Sequence, residues 1–240
     1  MTTATETNTD ALEALYSAGV HYGLAKSRRH PSAREFIYGT KDRVDIFNLD
    51  KTQVLLDEAC EFARTLGRER KQLLFVGGKP ESEKAVKEAA DRAAASYCIG
   101  RWIGGTITNF AEIRKRISRM QDLSSKRDSG DLAKYTKFER LQIDREIEKL
   151  EGMYAGLVGL NDKLPHALFV VDPKRENTAI REAKRNKISV IALANSDCNL
   201  DEIDYPIPAN DAAKKSIIAV VDAIAEAYRE GKEAAVEKTA

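Results

Sequence analysis

Cysteine is scarce: Cys60, Cys98 and Cys198 stand far apart in 240 residues and form no CxxC pair. That argues against a zinc site or a disulfide framework and points to free thiols in a reducing cytoplasm. No apolar run approaches the about 20 residues that cross a bilayer, so no membrane partner is expected. The first ten residues, MTTATETNTD, lack a basic segment followed by an apolar one and do not read as a secretory signal. An excess of charge of one sign is also missing, with 39 basic against 38 acidic side chains, so the total by itself favours no polyanion. Only His21, His30 and His166 are present, without metal-ligand spacing. Neither GxxxxGK[ST] nor GxGxxG occurs, and no Ser/His/Asp arrangement has local support. No catalytic residue, metal or cofactor is assigned, and the chain reads as non-enzymatic.

The distribution of charge says more than its sum. Residues 20–43, 101–127 and 172–187 together carry 19 basic and 7 acidic side chains, against 20 and 31 in the remainder. Basic segments set in an acidic remainder can bind a polyanion on one side only. Solvated helix faces would leave the same runs in the sequence.

Apolar runs alternate with helical patterns. Leu73–Val76, Ala167–Val171 and Ile188–Ala194 read as buried strands, Ser96–Ile99 as a short strand, and Val44–Phe47 alternates as a strand does. Pro80 opens a helix to Ala95, and a basic helix spans Glu176 to Asn186. Asp50 with Gln53 resembles a capping box, opening a helix with the stripe Val54, Leu55, Ala59, Phe62 and Leu66. The last helix shows Ile217, Ile218, Val221, Ile224 and Tyr228 on one face. Continuous apolar strands between helices mean a mostly parallel sheet covered on both faces, an α/β fold.

One stretch breaks the rhythm. Phe110, Ile113, Ile117 and Met120, then Ile143, Ile147, Leu150, Tyr154 and Leu157, make two heptad-like arms around a polar, glycine-containing turn. This predicts an inserted antiparallel helical hairpin at residues 109–159. The sheet domain is then 10–108 with 160–230, and flexible tails are expected at 1–9 and 231–240.

Two segments carry candidate chemistry. Gly77-Gly78-Lys79 between a strand and a helix could hold an anion, but a plain βα turn explains it as well. Arg101-Trp102-Ile103-Gly104-Gly105-Thr106-Ile107-Thr108-Asn109 combines the only Trp with an Arg, a Gly-Gly turn and small donors. Trp and Arg can stack on bases, and Thr and Asn donate to phosphates; Trp102 is equally suited to anchor a core.

That nonapeptide closely resembles the RW-[LI]-GG-x-[LI]-TN segment of bacterial small-subunit ribosomal protein number two. Three further segments are similar to motifs of that family: Leu15 to Gly23 to its GVHxG turn, Pro165 to Asp172 with Glu182-Ala183 to PxxLFVxD…EA, and Ile203 to Asp211 to IDxxIPxND. They occur in order from about residue 12 to 230. The resemblance implies a flavodoxin-like sheet with an inserted coiled-coil hairpin, seated on the exterior of the small subunit against rRNA of the head and head–body junction. The partners it implies are rRNA and neighbouring small-subunit proteins, with the large mRNA-binding ribosomal protein one as a further candidate, and no homo-oligomer is expected.

The chain departs from the pattern at Leu24-Ala25-Lys26 and Arg29-His30-Pro31, where the family has a His-Gln continuation and a Trp-Asn-Pro. It departs again at Asn186-Lys187-Ile188 and at Ala194 to Leu200, which lacks the usual Pro. The expected phosphate contacts are His21, Lys26, Arg28, Arg29 and His30, then Arg101, Trp102, Thr108 and Asn109 near the hairpin base. Arg114, Lys115 and Arg119 on the hairpin, with Lys174 and Arg175, would extend them. Two competing readings are an enzyme holding a small phosphate compound at Lys79, and an adaptor whose acidic faces bind proteins.

Overall fold

A computed structural model describes residues 11–160 and 163–237. The tail expected at residues 1–9, and residues 238–240 of the other tail, lie outside the described residues. The described chain opens with a helix at residues 11–17 (α1) and the strands β1 (Tyr22–Ala25), β2 (Ile37–Lys41) and β3 (Val44–Phe47). These strands pair antiparallel in the order β1-β3-β2. Asp42 and Arg43 both have positive φ (49° and 67°), as a two-residue hairpin turn that follows the strand twist requires.

Alternating elements follow: α2 (Leu49–Arg68), β4 (Leu73–Gly77), α3 (Pro80–Arg92), β5 (Ser96–Ile99), α4 (Phe110–Asp128), α5 (Lys137–Tyr154), β6 (Ala167–Val171), α6 (Asn177–Arg185), β7 (Ser189–Ala194), β8 (Tyr205–Pro208) and α7 (Lys214–Glu237). Strands β4 to β8 form one parallel sheet in the order β5-β4-β6-β7-β8. Counted along the sheet this is 2-1-3-4-5, the doubly wound, flavodoxin-like arrangement. Pro206 and Pro208, which lack a backbone donor, fit β8 because it is an edge strand.

The two-residue period of the strands divides the core into two layers. Leu73, Phe75 and Phe169 face α2, α3 and α7, whereas Leu74, Val76, Leu168 and Val170 face α4, α5 and α6. Every residue of β4 and β6 is buried, as expected for strands covered on both sides. Between β5 and β6, α4 and α5 pack together, with Ile113, Ile117 and Met120 meeting the same core as Leu150 and Tyr154. Arg119 donates to Glu146 (2.7 Å) and Ser124 to Glu151 (3.3 Å) across the pair.

Several local expectations need correction. The cap of α2 is Asn48, not Asp50: its side chain accepts from the Asp50 and Lys51 backbone N–H groups. Ala59 and Leu66 of the expected stripe are buried and Phe62 packs against the core, but Val54 is exposed, and Thr52, Leu56 and Ala63 complete the buried face. Ile218 is likewise exposed on α7. The segment expected as a flexible tail from 231 is helix through Glu237. It is held because Gly231 lies against the Arg64 carbonyl, where a Cβ would come within 2.1 Å, and because Lys232 donates to the Ala93 and Ala94 carbonyls. Of the small antiparallel sheet only β3 shows as alternation in the sequence, because β1 and β2 are short and each is interrupted by a bulge.

Candidate nucleic-acid interface

In a doubly wound sheet, ligands sit beyond the carboxyl ends of the strands where the order reverses, here between β4 and β6. Four connections converge there. Lys79, following β4, places its ammonium 2.7 Å from Asp172 after β6 and 2.6 Å from Asp211 after β8. Asn195, following β7, donates to the other oxygen of Asp211 (2.6 Å). Burial pulls the Lys79 pKa down, but its hydrogen bonds to both carboxylates outweigh that and raise it, so the ammonium stays charged. Glu176 lies against Gly78, where a Cβ would come within 2.0 Å of its carboxylate, so this glycine answers a close approach. The anion candidate Gly77-Gly78-Lys79 is therefore already occupied by the protein's own carboxylates.

The N-terminal sheet is fastened onto the loops at this end of the parallel sheet. Leu24 N–H donates to the Ser196 hydroxyl (3.0 Å), His30 N–H to the Ser196 carbonyl (2.8 Å) and Asn210 N–H to the Val20 carbonyl (3.0 Å). The crevice is thus filled by the Lys79 cluster, and the N-terminal sheet lies beside it against the loops after β7 and β8.

The nonapeptide wraps a carboxylate from another element. Glu182 on α6, 6% exposed, accepts from the backbone N–H of Gly105 (2.7 Å), Ile107 (3.0 Å) and Thr108 (3.1 Å). The Thr108 hydroxyl (3.2 Å) and the Trp102 indole (3.3 Å) donate to it as well. Burial disfavours the Glu182 charge, but the donors together prevail and its pKa is lowered. Trp102 is 7% exposed and packed in the core beside α4, so it offers no face for stacking on a base. Trp102 serves as the anchor in the fold, whereas Thr108 stays exposed with its hydroxyl turned to Glu182. The signal that could have found this knot was Glu182 itself, an acid on the buried stripe of a short basic helix.

The remaining candidates separate by their partners. The buried carboxylate of Asp45 receives both Arg29, through a 2.6 Å bond from Nε and a second from the guanidinium, and the Thr40 hydroxyl (2.9 Å). Arg29 thus holds the small sheet together. His30 caps the following turn, its Nδ1 accepting from Ser32 N–H (3.3 Å). His21 is buried between the rings of Tyr16 and Tyr22, and burial lowers its pKa. Its Nδ1 has no partner among the described residues. A lowered histidine pKa means that the stability this site contributes is full above the unfolded value near 6.5 and is lost as pH falls from there. Once the slower intrinsic exchange at lower pH is divided out, amide protection at residues 20–25 is expected to fall between pH 7.5 and 5.5, while protection in β4 and β6 barely changes.

Lys26 and Arg28 are exposed and make no ion pair among the described residues. Lys174 pairs with Asp197 (2.8 Å) and lines a pocket shared with His30, close to that pair. Arg175 and Arg101 are exposed, and Asn109 stands exposed at the start of α4. Arg114, Lys115 and Arg119 line a separate groove along α4, where Lys115 also pairs with Glu112 (2.6 Å) and Arg119 with Glu146 (2.7 Å). The candidates therefore make two surfaces, one at the N-terminal sheet and one along α4. Cys98 and Cys198 are buried free thiols and Cys60 is partly covered, and burial pushes all three up to about 12. Among the described residues no group of His, Cys, Asp and Glu is placed to hold a metal, and no helix is long and apolar enough to cross a membrane.

Comparison with known proteins agrees with this architecture. The chain is 41% identical to the small ribosomal subunit protein uS2 of Coprothermobacter proteolyticus, over 92% of this chain and 82% of that one. It is 40% identical to the uS2 of Dictyoglomus thermophilum, over 92% and 90%. With that of Chloroflexus aggregans it shares 39% over 90% and 91%. The family profile described as ribosomal protein S2 matches residues 15–231, which takes in all four sequence motifs, the Glu182 knot and the Lys79 cluster, and the chain belongs to that family.

Proposed function

We propose that this protein is a non-catalytic constituent of the small ribosomal subunit, working in the cytoplasm, and binds rRNA on the subunit exterior in support of assembly and translation. The observation that carries the reading is that Lys26 and Arg28, exposed in the turn after β1, form no ion pair among the described residues, in a chain of the S2 family. Phosphates would be met there and along the α4 groove. Residues 109–159 would act as one inserted unit carrying that groove away from the sheet domain. Contacts of this kind position a protein without reading bases, so specificity would come from rRNA shape. Protein neighbours in the subunit belong to the same reading, supported by Phe138 (68% exposed) and Leu141 (46%), one turn apart on α5. The enzyme reading finds no support at Lys79, since a small phosphate compound would have to displace two carboxylates.

Replacing Lys26 and Arg28 together by Ala removes two phosphate contacts and leaves the Arg29–Asp45 pair in place. Binding to stripped small subunits is expected to weaken, and the slope of log affinity against log salt to fall by about 0.7–0.9 for each contact. Sedimentation of lysate through sucrose gradients should place the wild-type chain with small subunits and whole ribosomes. An unchanged salt slope would remove Lys26 and Arg28 from the interface. A chain found only at the top of the gradient would overturn the ribosomal reading.

A further inference from the structure

The outward face of the N-terminal sheet carries aromatic rings that neither the core nor the phosphate contacts use. In the register of the sheet, Tyr22 lies opposite Ile46, and Ile46 opposite Gly39; Ala25 lies opposite Val44, and Val44 opposite Lys41. Directly opposed residues share a face, so these two rows form one surface, while Asp45 and Phe47 point inward and are buried. Tyr38 sits in the bulge of β2 and is 81% exposed. Tyr16 is 64% and Tyr22 50% exposed. They are the two outer members of a stack with His21 between them, at centroid distances of 4.4 Å and 4.1 Å. A Cβ on Gly39 would meet nothing within 4 Å, so the floor beside Ile46 is open.

The other end of the same sheet is basic. Lys26 N–H donates to the Arg43 carbonyl (2.9 Å), which joins the turn carrying Lys26 and Arg28 to the hairpin turn carrying Lys41 and Arg43. Asp42 is the acid of that turn, and the nearby Asp45 is buried and taken by Arg29. At 3.3–3.4 Å per residue, the four residues of β1 put the rings and the cations roughly 10 Å apart. An apolar protein segment would leave these cations unmatched, whereas a polyanion with planar rings matches both ends.

We propose that this face binds an unpaired RNA segment, its bases stacked on the tyrosines and its phosphates at Lys26, Arg28, Lys41 and Arg43. The proposal rests on the rRNA-binding reading above and adds which form of RNA this surface takes. Bases inside a duplex are already stacked on one another and cannot reach the rings, so the preference is for single strands.

The test uses the full chain and two fluorescent probes, a 12-nucleotide oligoadenylate and a 12-base-pair RNA duplex, followed by anisotropy. Tyr22→Leu and Tyr38→Ala are each expected to weaken oligoadenylate binding about tenfold, within the range that loss of one base–aromatic stack produces. Duplex binding should change less than twofold, and Tyr22→Phe and Tyr38→Phe, which keep the ring, should bind as the wild type does. Tyr38→Ala, at a position almost wholly in solvent, separates this effect from any loss of folding by Tyr22→Leu. Wild-type affinity for oligoadenylate in both ring-removing variants would overturn the proposal, and Lys26→Ala/Arg28→Ala weakening both probes would then leave the broader reading standing. If the ring variants bind oligoadenylate normally yet fail to enter subunits, the face belongs to a protein neighbour and the proposal is overturned. Failure of the wild type to bind either probe would count against the rRNA-binding reading itself.

Discussion

Replacement of Glu182 by Ala is expected to lower the unfolding free energy by about 4 kcal/mol, although Glu182 would touch no ligand. Its carboxylate takes bonds from three backbone N–H groups, a hydroxyl and an indole, and hydrogen bonds to a charged acceptor contribute about 1.5–3 kcal/mol each before water recovers part of the loss. For a chain of this size, that corresponds to a fall in the thermal midpoint of roughly 8–16 °C. Glu182→Gln keeps the shape and one acceptor and should cost less. The pH dependence separates charge from shape. Because the folded pKa lies below the ordinary value of 4.5, the charge stabilises fully above that value and ceases to do so as pH falls through the folded pKa. The difference between wild type and Glu182→Gln should therefore be largest near pH 7 and shrink below about pH 4.5, as read by urea titration. A constant difference across pH would show that packing, not charge, accounts for the knot. Loosening the connection from Arg101 to Asn109 would also loosen the start of α4, where the second basic surface begins.

Lys79→Ala is expected to cost about 3–5 kcal/mol, the range for removing one partner of a buried ion pair. It leaves Asp172 and Asp211 facing each other, both largely out of solvent. Burial already holds the Asp211 pKa above its ordinary value, and losing the Lys79 ammonium removes what offsets that, so ionising both buried carboxylates is further opposed. The penalty is then present at neutral pH and relieved as pH falls toward their unfolded values. Adding Asp211→Asn should recover part of the loss, because it removes one of the two unpaired charges. Thermal midpoints of the single and double variants at pH 7 and pH 5 check this. A single variant as stable as the wild type at pH 7 would mean that water already reaches the cluster. A rise in stability would fit a cation retained at the expense of stability to hold four loops in register.

These two clusters explain how one fold class can offer its outer surface in place of its crevice. The Lys79 cluster neutralises the place where a doubly wound sheet would take a phosphate, and the N-terminal sheet is hydrogen-bonded over the loops beside it. The basic side chains that remain at the surface lie around that sheet and along the flank of α4. A net charge of +1 suits this arrangement, because only two limited surfaces need to be basic.

The fold class was readable along the chain because strands buried on both faces must be continuously apolar. Leu73–Val76, Ala167–Val171 and Ile188–Ala194 were located to within a residue of β4, β6 and β7 for that reason. The family was readable too, since RWIGGTITN and its three companions are specific strings in a specific order. What the candidates touch was not readable. Lys26 and Arg28 differ from Arg29 by one or a few positions, yet only Arg29 meets a buried carboxylate, brought to it by the pairing of β1 with β3. Trp102 and Glu182 are 80 residues apart, and nothing local marks either as the partner of the other. Periodicity and motif depend on neighbours along the chain, so the sequence by itself determined the sheet, the helices and the family. Burial and pairing depend on neighbours across the fold, so only the tertiary structure decided which charges are spent inside the protein and which stay at its surface.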